Sequence, residues 1–424
     1  MVPMIATTPV KHTPVHLAPE LHGETASCCA DPAAASLADI EIELVTDRSA
    51  FDALEVEWTA LFERAGRSAQ VFQSFNWNWH WANNYIDDAP GGIRGLKLSI
   101  VAGRRNGKLV MLWPLVSERV RGITQIFWMG EPVSQYGDVL IDNIPDALQC
   151  LRAGWQFLKA HARGDVVRLR RVRADAIIAP LLNEIGALAS NKQVAPFLDL
   201  TSATDFAAYE QRYSSRSRRN RRRLARRLDE THEVKFKRYK GGAEAAALAV
   251  HALDLKTLWL KDRGLVSHAI ADPRMRRFFS DAVADPTRST NSVVAALFCD
   301  GEPAALEVSF TCKGRLAMHV IVFNLDYEKS GAGVLLLEQG IRDGYADGLT
   351  TFDMLAPGDN YKLDWSDATV EVQDWSRPLT LAGQTYARLY LGFVRPRMKA
   401  VIGAMPQALR RIVSNGRAHA MIIG

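Results

Sequence analysis

The stretch FNLDYEKSGAGVLLLEQGIRDGY, residues 323–345, decides the fold of this chain. It predicts a β-strand that ends at Phe323, a short loop to Ser330, and a glycine turn that leads into an apolar helix. Glycines at a helix N-terminus leave backbone N–H groups exposed at the positive end of the helix dipole, where they bind a pyrophosphate. We therefore expect this turn to hold a phosphate-bearing cofactor. Its residues are Lys329, Ser330, Gly331, Ala332, Gly333 and Val334.

A glycine turn of this kind often does no more than reverse the chain, so the surrounding pattern matters. The G-x-G-x-x-G fingerprint of dinucleotide-binding folds and the G-x-x-x-x-G-K-[ST] motif of P-loop proteins are both absent. The G-x-S-x-G motif of the serine nucleophile elbow is absent as well, and the five cysteines form no C-x-x-C pair. The sequence therefore predicts neither a protein nucleophile nor a metal site.

The order helix, hairpin, strand, helix, strand occurs twice along the chain. Asn106-Gly107 and Asp300-Gly301 mark the hairpin turns, because both dipeptides accept the positive φ angles of a type I′ turn. The first set of predicted elements is Leu98–Ala102, Leu109–Val116, Thr124–Trp128, Pro145–Ala162 and Val166–Arg170. The second set is Ser292–Phe298, Ala304–Phe310, Leu316–Phe323, Gly333–Tyr345 and Thr350–Leu355. This repeat predicts an α/β (α+β) fold of tandem units, each with a mixed, largely antiparallel central sheet flanked by helices.

Four regions follow from this pattern. We predict a disordered leader at 1–38, a first unit at 39–202, a second unit at 203–384 and a basic helical tail at 385–424. The helix of the first unit starts at Asp142-Asn143-Ile144-Pro145, which carries no glycine turn. We therefore expect one cofactor site, in the second unit, and a first unit that serves as a scaffold or as a wall for the acceptor.

The second unit resembles the GNAT acyltransferase superfamily, whose coenzyme A pyrophosphate sits on a loop of the form [Q/R]-x-x-G-x-[G/A]. The loop here, Glu328–Gly333, keeps the glycines but begins with an acidic residue, and Lys329 offers the positive charge in its place. The resemblance implies acetyl-CoA or another acyl-CoA as co-substrate, with no metal.

A narrower resemblance is to the acetyltransferases associated with bacterial cellulose and exopolysaccharide synthesis, which are similar in turn to the Fem-type peptidyltransferases. The phrases that carry it are Phe75-Asn76-Trp77, Tyr136-Gly137-Asp138, Arg218–Arg227, Leu258–Gly264, Phe352-Asp353-Met354, Gly358, Tyr361-Lys362 and Trp365. The resemblance implies twin GNAT units and a role in cell-surface polysaccharide biosynthesis.

Acyl transfer from a thioester requires that the acceptor lose a proton and that the leaving thiolate gain one. Glu307, His319 and Asp353 are the candidate bases, with a bound water as an alternative. Glu307 also fits an ordinary surface carboxylate, and His319 fits a buried core histidine. The resemblance implies that Tyr361 protonates the thiolate, and Lys362 is a candidate for binding a phosphate or an acceptor oxygen.

The most basic segment of the chain runs from Arg216 to Arg227, where eight of twelve residues are arginine. Arginines without interleaved acids repel one another, which favours an anionic partner such as a sugar nucleotide, a lipid-linked phosphate, a membrane surface or tRNA. The candidate anion-binding residues are Arg219, Arg222, Arg223, Arg226 and Lys362. Aromatic interleaving and zinc-finger patterns are absent, so free nucleic acid is a poor candidate.

The sequence thus predicts a cytoplasmic acyl-CoA-dependent N- or O-acyltransferase with a small-molecule or saccharide acceptor, placed peripherally at the inner face of the membrane. One alternative is a Fem-like transferase that uses aminoacyl-tRNA. The other is a catalytically degenerate basic adaptor in a membrane-associated polysaccharide-synthesis complex.

Overall fold

The structure is a computed structural model that describes residues 40–86, 95–265, 267–394, 397 and 401. The predicted leader and most of the predicted basic tail lie outside these residues. Within them the chain alternates between strands and helices in the predicted order, and most elements begin or end within a few residues of the predicted bounds.

Fifteen strands are present in the described part of the chain. They are β1 Ile40–Val45, β2 Lys97–Leu98, β3 Ile100–Arg105, β4 Lys108–Trp113, β5 Leu115–Val120, β6 Ile123–Trp128, β7 Leu140–Ile141, β8 Val166–Arg173, β9 Leu188–Asp199, β10 Val234–Tyr239, β11 Ser292–Cys299, β12 Glu302–Cys312, β13 Arg315–Phe323, β14 Thr351–Asp353 and β15 Ala368–Pro378.

The α-helices are α1 Arg48–Ala53, α2 Glu55–Ala65, α3 Phe75–Tyr85, α4 Ala147–His161, α5 Ala179–Glu184, α6 Phe206–Tyr209, α7 Ser215–Asp229, α8 Ala243–Asp262, α9 His268–Ala271, α10 Pro273–Ala284, α11 Ala332–Ala346, α12 Asn360–Trp365 and α13 Leu381–Thr385. Short 3₁₀ turns occur at Val71–Gln73, Leu200–Ser202, Glu210–Arg212 and Leu325–Tyr327, and a π-helix spans Tyr386–Val394.

The two predicted hairpins are confirmed. β3 pairs antiparallel with β4, and β11 pairs antiparallel with β12. Asn106 and Gly107 have φ angles of 51° and 74°, and Asp300 and Gly301 have 53° and 87°, so both turns use the left-handed conformations that these residues tolerate. The turn chemistry of the sequence therefore sets the register of both hairpins.

Each unit contains a strand, a helix and a second strand that returns parallel to the first. In the first unit β6 and β8 are parallel and α4 connects them, and in the second β13 and β14 are parallel and α11 connects them. The antiparallel neighbours β5 and β12 complete the correspondence. The fold is thus a tandem, mixed α/β arrangement, as the repeat predicts.

The last strand of each unit pairs into the sheet of the other. β9 pairs antiparallel with β14, whereas β15 pairs antiparallel with β8, and β9 and β15 also pair with each other. The result is one sheet of eleven strands in the order β10-β11-β12-β13-β14-β9-β15-β8-β6-β5-β2. A separate four-stranded sheet has the order β1-β3-β4-β7. The sequence repeat did not predict this exchange, because the hydrophobic pattern of a strand does not specify its partner.

Candidate functional site

The strands β13 and β14 part at the centre of the second unit. Residues 315–317 of β13 pair with residues 351–353 of β14, after which β13 continues to Phe323 and the chain turns away from it after Asp353. The short helix α12 follows this turn, so its first residues lie at the opening between the two strands. Ligands of open α/β sheets bind at such carboxyl ends of parallel strands.

The glycine turn lies at the far end of β13 and begins α11. Gly331 is the N-cap residue with a φ of 79°, a conformation that favours glycine. A Cβ at residue 331 would lie 2.8 Å from Leu224 Cδ1, so helix α7 packs directly over the turn. The Ala332 N–H donates to Ser330 Oγ at 3.3 Å, and the Gly333 N–H has no hydrogen-bond partner among the described residues.

The acidic residue that opens this loop has its own partner. Glu328 Oε1 accepts from Arg263 NH2 at 2.7 Å, and the Arg263 guanidinium lies 4.1 Å from the centroid of the Trp259 ring. The charge of Glu328 is therefore matched by a cation from the end of α8. Lys329 is exposed, and Val334 is partly buried at the edge of the core.

Helix α7 carries the arginine segment and presents most of it to solvent. Arg222 pairs with Glu210 at 3.1 Å, Arg226 pairs with Glu230 at 3.4 Å, and Arg223 donates to Asn220 at 2.8 Å. The side chains of Arg219 and Arg227 make no ion pair or hydrogen bond with any other described residue. These exposed pairs hold little energy, so the surface remains strongly basic.

Arg221 is the arginine that sequence reasoning missed. Its side chain is 4% exposed and lies between the rings of Tyr213 and Trp365, at 4.8 and 5.0 Å from their centroids. Its Nε atom is 3.1 Å from Glu338 Oε2 on α11. The available signal was the spacing of Arg221 from Leu224 and Leu228, which places all three on one face of the helix. This residue attaches the basic helix to α11 and α12.

Glu307 faces helix α11 from strand β12. The residue is 2% exposed, and its Oε2 atom would lie 3.2 Å from a Cβ at Gly340. Ser309 Oγ donates to Oε1 at 2.6 Å, whereas Oε2 has no partner among the described residues. Burial raises the pKa of Glu307 to about 7, and the Ser309 hydrogen bond opposes the rise. It is therefore not the surface carboxylate that the sequence also allowed.

His319 lies at a β-bulge and faces the other side of the sheet. The register between β12 and β13 shifts at Val308/Ser309, opposite His319. The imidazole is surrounded by aromatic rings, namely Phe72, Trp77, Phe279 and Phe310. Burial lowers its pKa to about 4. The structure therefore does not bring Glu307 and His319 together.

The first unit holds the His319 ring. Nε2 lies 2.6 Å from the Val133 carbonyl oxygen, which assigns the ring proton to Nε2 and makes Nδ1 the lone-pair atom. Nδ1 is buried without a partner among the described residues. The Gln135 amide nitrogen lies 3.3 Å from the same Nε2, and its carbonyl oxygen accepts from Arg171.

Tyr361 and Lys362 flank the opening from α12. Tyr361 packs against the core cluster that contains Trp365, and burial raises its pKa, with further contributions from the charges of Asp359 and Glu307. Lys362 is 8% exposed and donates from Nζ to the Leu355 carbonyl at 3.1 Å. Burial lowers the pKa of Lys362 to about 8. The charge of Lys362 is one of the smaller influences that lower the pKa of His319.

Asp353 is fully buried, and all of its acceptor positions are used. Oδ1 accepts from the Tyr136 hydroxyl and from the Leu355 N–H, both at 2.9 Å. Oδ2 accepts from Arg173 at 3.2 Å and from Arg315 at 3.0 Å. Four donors therefore occupy the two oxygens of this carboxylate. These bonds hold the turn after β14, and the assignment of Asp353 as a base stays a prediction.

No group of three or more His, Cys, Asp or Glu side chains is arranged to hold a metal ion within residues 40–86, 95–265 and 267–394. Across the same residues, no helix combines the length and hydropathy that crossing a membrane requires.

The chain was compared with models of known protein families. Residues 215–363 match the family described as "Acetyltransferase (GNAT) domain". This part of the chain, about a third of its length, is thus similar to a GNAT acetyltransferase domain. The matched range contains α7, the Gly331 turn, Glu307 and the Tyr361-Lys362 pair, and the match supports an acetyltransferase. No curated protein matches the chain.

The fold is similar to that of several solved structures. The structure described as "Crystal structure of FemX" aligns with a TM-score of 0.54 and 9% identity, over 82% of this chain and 99% of that one. A "Tandem GNAT protein from the clavulanic acid biosynthesis pathway" aligns at 0.45 and 15%, over 80% and 99%. "L-PGS from Bacillus licheniformis" aligns at 0.48 and 12%, over 81% and 96%. At these identities the likeness to FemX shows the fold alone.

Proposed function

We propose that this protein is an acyl-CoA-dependent N- or O-acyltransferase, with acetyl-CoA as the donor, in which the acceptor attacks the thioester directly. The observation that carries the proposal is the left-handed Gly331 turn at the start of α11, inside the matched domain and at the end of the strand that parts from β14. The donor supplies an activated acyl group, and the residues described above bind it and move protons.

The residues of the turn fit the pyrophosphate of coenzyme A. The first-turn N–H groups of α11, including the Gly333 N–H, form the positive end of the helix dipole. The packing of Leu224 against Gly331 brings the basic helix α7 beside the same turn, so cationic side chains flank the phosphates. Lys329, two residues before Gly331, and Arg227, three residues after Leu224, are exposed cations beside these two contacts.

Proton transfer completes the reaction. As the acceptor nitrogen or oxygen bonds to the acyl carbon, its proton passes to a base and the bond from carbon to sulfur breaks. Glu307 has the better-matched pKa, because a base works best when its pKa lies near the working pH, whereas His319 is a weaker base with its pKa near 4. The free Nδ1 of His319 keeps it as the second candidate.

The leaving thiolate takes its proton from one of two residues of α12, Tyr361 or Lys362. Lys362 has a pKa of about 8, close to that of an ordinary thiol at about 8.5. Burial makes the Tyr361 hydroxyl less acidic than an ordinary phenol, so Tyr361 is the poorer donor. We therefore assign the proton, or the stabilisation of the developing negative charge, to Lys362.

The substrate class rests on the motif resemblance. We propose a saccharide or small-molecule acceptor in cell-surface polysaccharide biosynthesis, and a cytoplasmic protein whose basic α7 surface meets an anionic membrane. A Fem-like, aminoacyl-tRNA-dependent transferase is the second candidate, because the outward arginines of α7 would also bind RNA phosphates. The pairing of Glu328 with Arg263 reduces the slight support that an acidic residue in the loop gives to the adaptor alternative.

Isothermal titration with acetyl-CoA and with coenzyme A tests the proposal. We expect micromolar binding to the wild type and its loss in Gly333→Glu, whose new side chain would occupy the turn beside Phe323 and repel the phosphates. Gly95→Glu is the matched control, because Gly95 is exposed and a Cβ there contacts nothing within 4 Å. Circular dichroism confirms folding of both variants. No heat with either ligand would overturn the acyl-CoA proposal and favour the tRNA-dependent one.

A further inference from the structure

A buried hydroxyl forms one of the hydrogen bonds between the two units. Tyr136 belongs to the first unit, is 2% exposed, and donates to Asp353 Oδ1 of β14 at 2.9 Å. The Arg173 guanidinium, also from the first unit, lies 4.9 Å from the centroid of the Tyr136 ring and donates to the other Asp353 oxygen. The first unit therefore fixes the position of the Asp353 carboxylate.

Asp353 in turn holds a backbone conformation that does not form readily by itself. Leu355 has a φ of 58°, in the left-handed region that leucine rarely occupies. Its N–H donates to Asp353 Oδ1 at 2.9 Å, which stabilises this turn. Such residues persist only where the surrounding structure holds them, and they cluster at functional sites.

The turn at Leu355 positions Lys362. The Leu355 carbonyl accepts from Lys362 Nζ at 3.1 Å, and this is the one hydrogen bond of the ammonium to another described residue. A continuous path of hydrogen bonds therefore runs from Tyr136 through Asp353 and Leu355 to Lys362. The neighbouring Val133 carbonyl binds His319, so one segment of the first unit contacts both sides of the opening between β13 and β14.

We propose that Tyr136 is a positioning residue through which the first unit sets the location and the solvation of the Lys362 ammonium. The inference rests on the proposed function only in assigning Lys362 to acyl transfer. It gives the first unit a direct part in the site of the second, beyond that of a scaffold.

Charged neighbours and burial together determine the pKa of Lys362. Asp359 at the start of α12 and Asp353 of β14 favour its charged form, whereas Lys256 of α8 and Arg171 of β8 oppose it. The charge of Lys362 also acts on His319 of β13. Burial is the largest influence and lowers the pKa of Lys362, so a looser turn that admits water would raise it toward that of an ordinary lysine.

The experiment is an NMR titration of the full chain with ¹³Cε-labelled lysine, in wild type, Tyr136→Phe and Tyr209→Phe. Lys362→Arg assigns the Lys362 resonance. Tyr209→Phe is the matched control, because its buried hydroxyl also donates to an aspartate, Asp367, at 2.8 Å but lies off this path. Thermal unfolding of each variant confirms that the fold persists. This measurement requires neither a donor nor an acceptor.

We expect the titration midpoint of Lys362 to rise by about one pH unit in Tyr136→Phe, part of the way back to the ordinary lysine pKa of about 10.4. In Tyr209→Phe the midpoint should stay unchanged. An unchanged midpoint in Tyr136→Phe overturns the proposal, and an equal rise in both variants overturns it by showing a general loosening. Where acyl transfer is established, kcat should fall about tenfold in Tyr136→Phe with KM for the donor unchanged. Failure of donor binding would overturn the proposed function and leave the titration result standing.

Discussion

Glu307 and His319 lie on the adjacent strands β12 and β13 but point to opposite faces of the sheet. Glu307 packs against Gly340 of α11, whereas His319 lies among aromatic rings that include Phe279 of α10. Each has one buried atom without a partner among the described residues, Oε2 in the first case and Nδ1 in the second. A single acceptor group cannot be in contact with both, so their roles can be separated by experiment.

The pH dependence of kcat/KM distinguishes these two bases. A base must be deprotonated to work, so activity falls as the pH drops below its pKa. We predict an acid limb with a midpoint of about 7, from Glu307, because burial raises the pKa of this carboxyl. Glu307→Gln should lower kcat/KM by about 10²-fold or more and remove this limb. Glu302→Gln, an exposed glutamate of the same strand, is the control. A limb near pH 4 that disappears in His319→Gln would assign the base to His319 instead.

The same carboxyl makes stability depend on pH. The pKa of Glu307 is raised from 4.5 to about 7, so the folded state binds this proton more tightly than the unfolded state does. Its contribution is fully present below pH 4.5 and is lost as the pH rises to about 7. The loss approaches about 3 kcal/mol in total. We therefore expect Glu307→Gln to gain about 2 kcal/mol relative to wild type between pH 5 and pH 8, measured by urea unfolding. A constant difference between the two proteins across this range would contradict the assignment.

The buried Asp353 cluster should dominate the stability of the junction. Asp353→Asn leaves the guanidinium groups of Arg173 and Arg315 facing a neutral amide, and breaking a buried pair in this way costs about 3 to 5 kcal/mol. Asp175→Asn is the control, because Asp175 also pairs with Arg173 but its side chain is 60% exposed. Urea unfolding measures the loss of unfolding free energy in each of the two variants. Equal losses in the two variants would mean that Asp353 does not hold the junction.

Helix α7 should contribute to donor binding from one side only. At about 100° per residue, Arg227 lies about 60° around the helix from Leu224, which packs on Gly331, whereas Arg219 lies about 140° away. We predict that Arg227→Ala weakens coenzyme A binding about tenfold, since one charge-assisted contact with phosphate is lost. Arg219→Ala should change it little. Titration with 3′-dephospho-coenzyme A tells which phosphate is bound, and equal affinity of wild type and Arg227→Ala for coenzyme A would rule out the contact.

The local parts of this structure were readable from the sequence because local chemistry determines them. The turns at Asn106-Gly107 and Asp300-Gly301 and the glycine start of α11 depend on residues that are adjacent in the chain. Arg221 was missed because its burial depends on Tyr213 and Trp365, which the sequence separates and the fold brings together. The saturation of Asp353 by Tyr136 and Arg173 likewise requires knowledge of how the two units meet.

The exchange of β9 and β15 bears on how the protein unfolds. Because β14 is flanked by β9 and β8 is flanked by β15, neither half can leave without exposing unpaired backbone on the other. Cutting the chain near residue 203 would give two fragments with bare sheet edges, which are prone to aggregate. We therefore expect a single calorimetric transition, in which both halves melt as one cooperative body, and recovery of function from separate fragments only when they are refolded together.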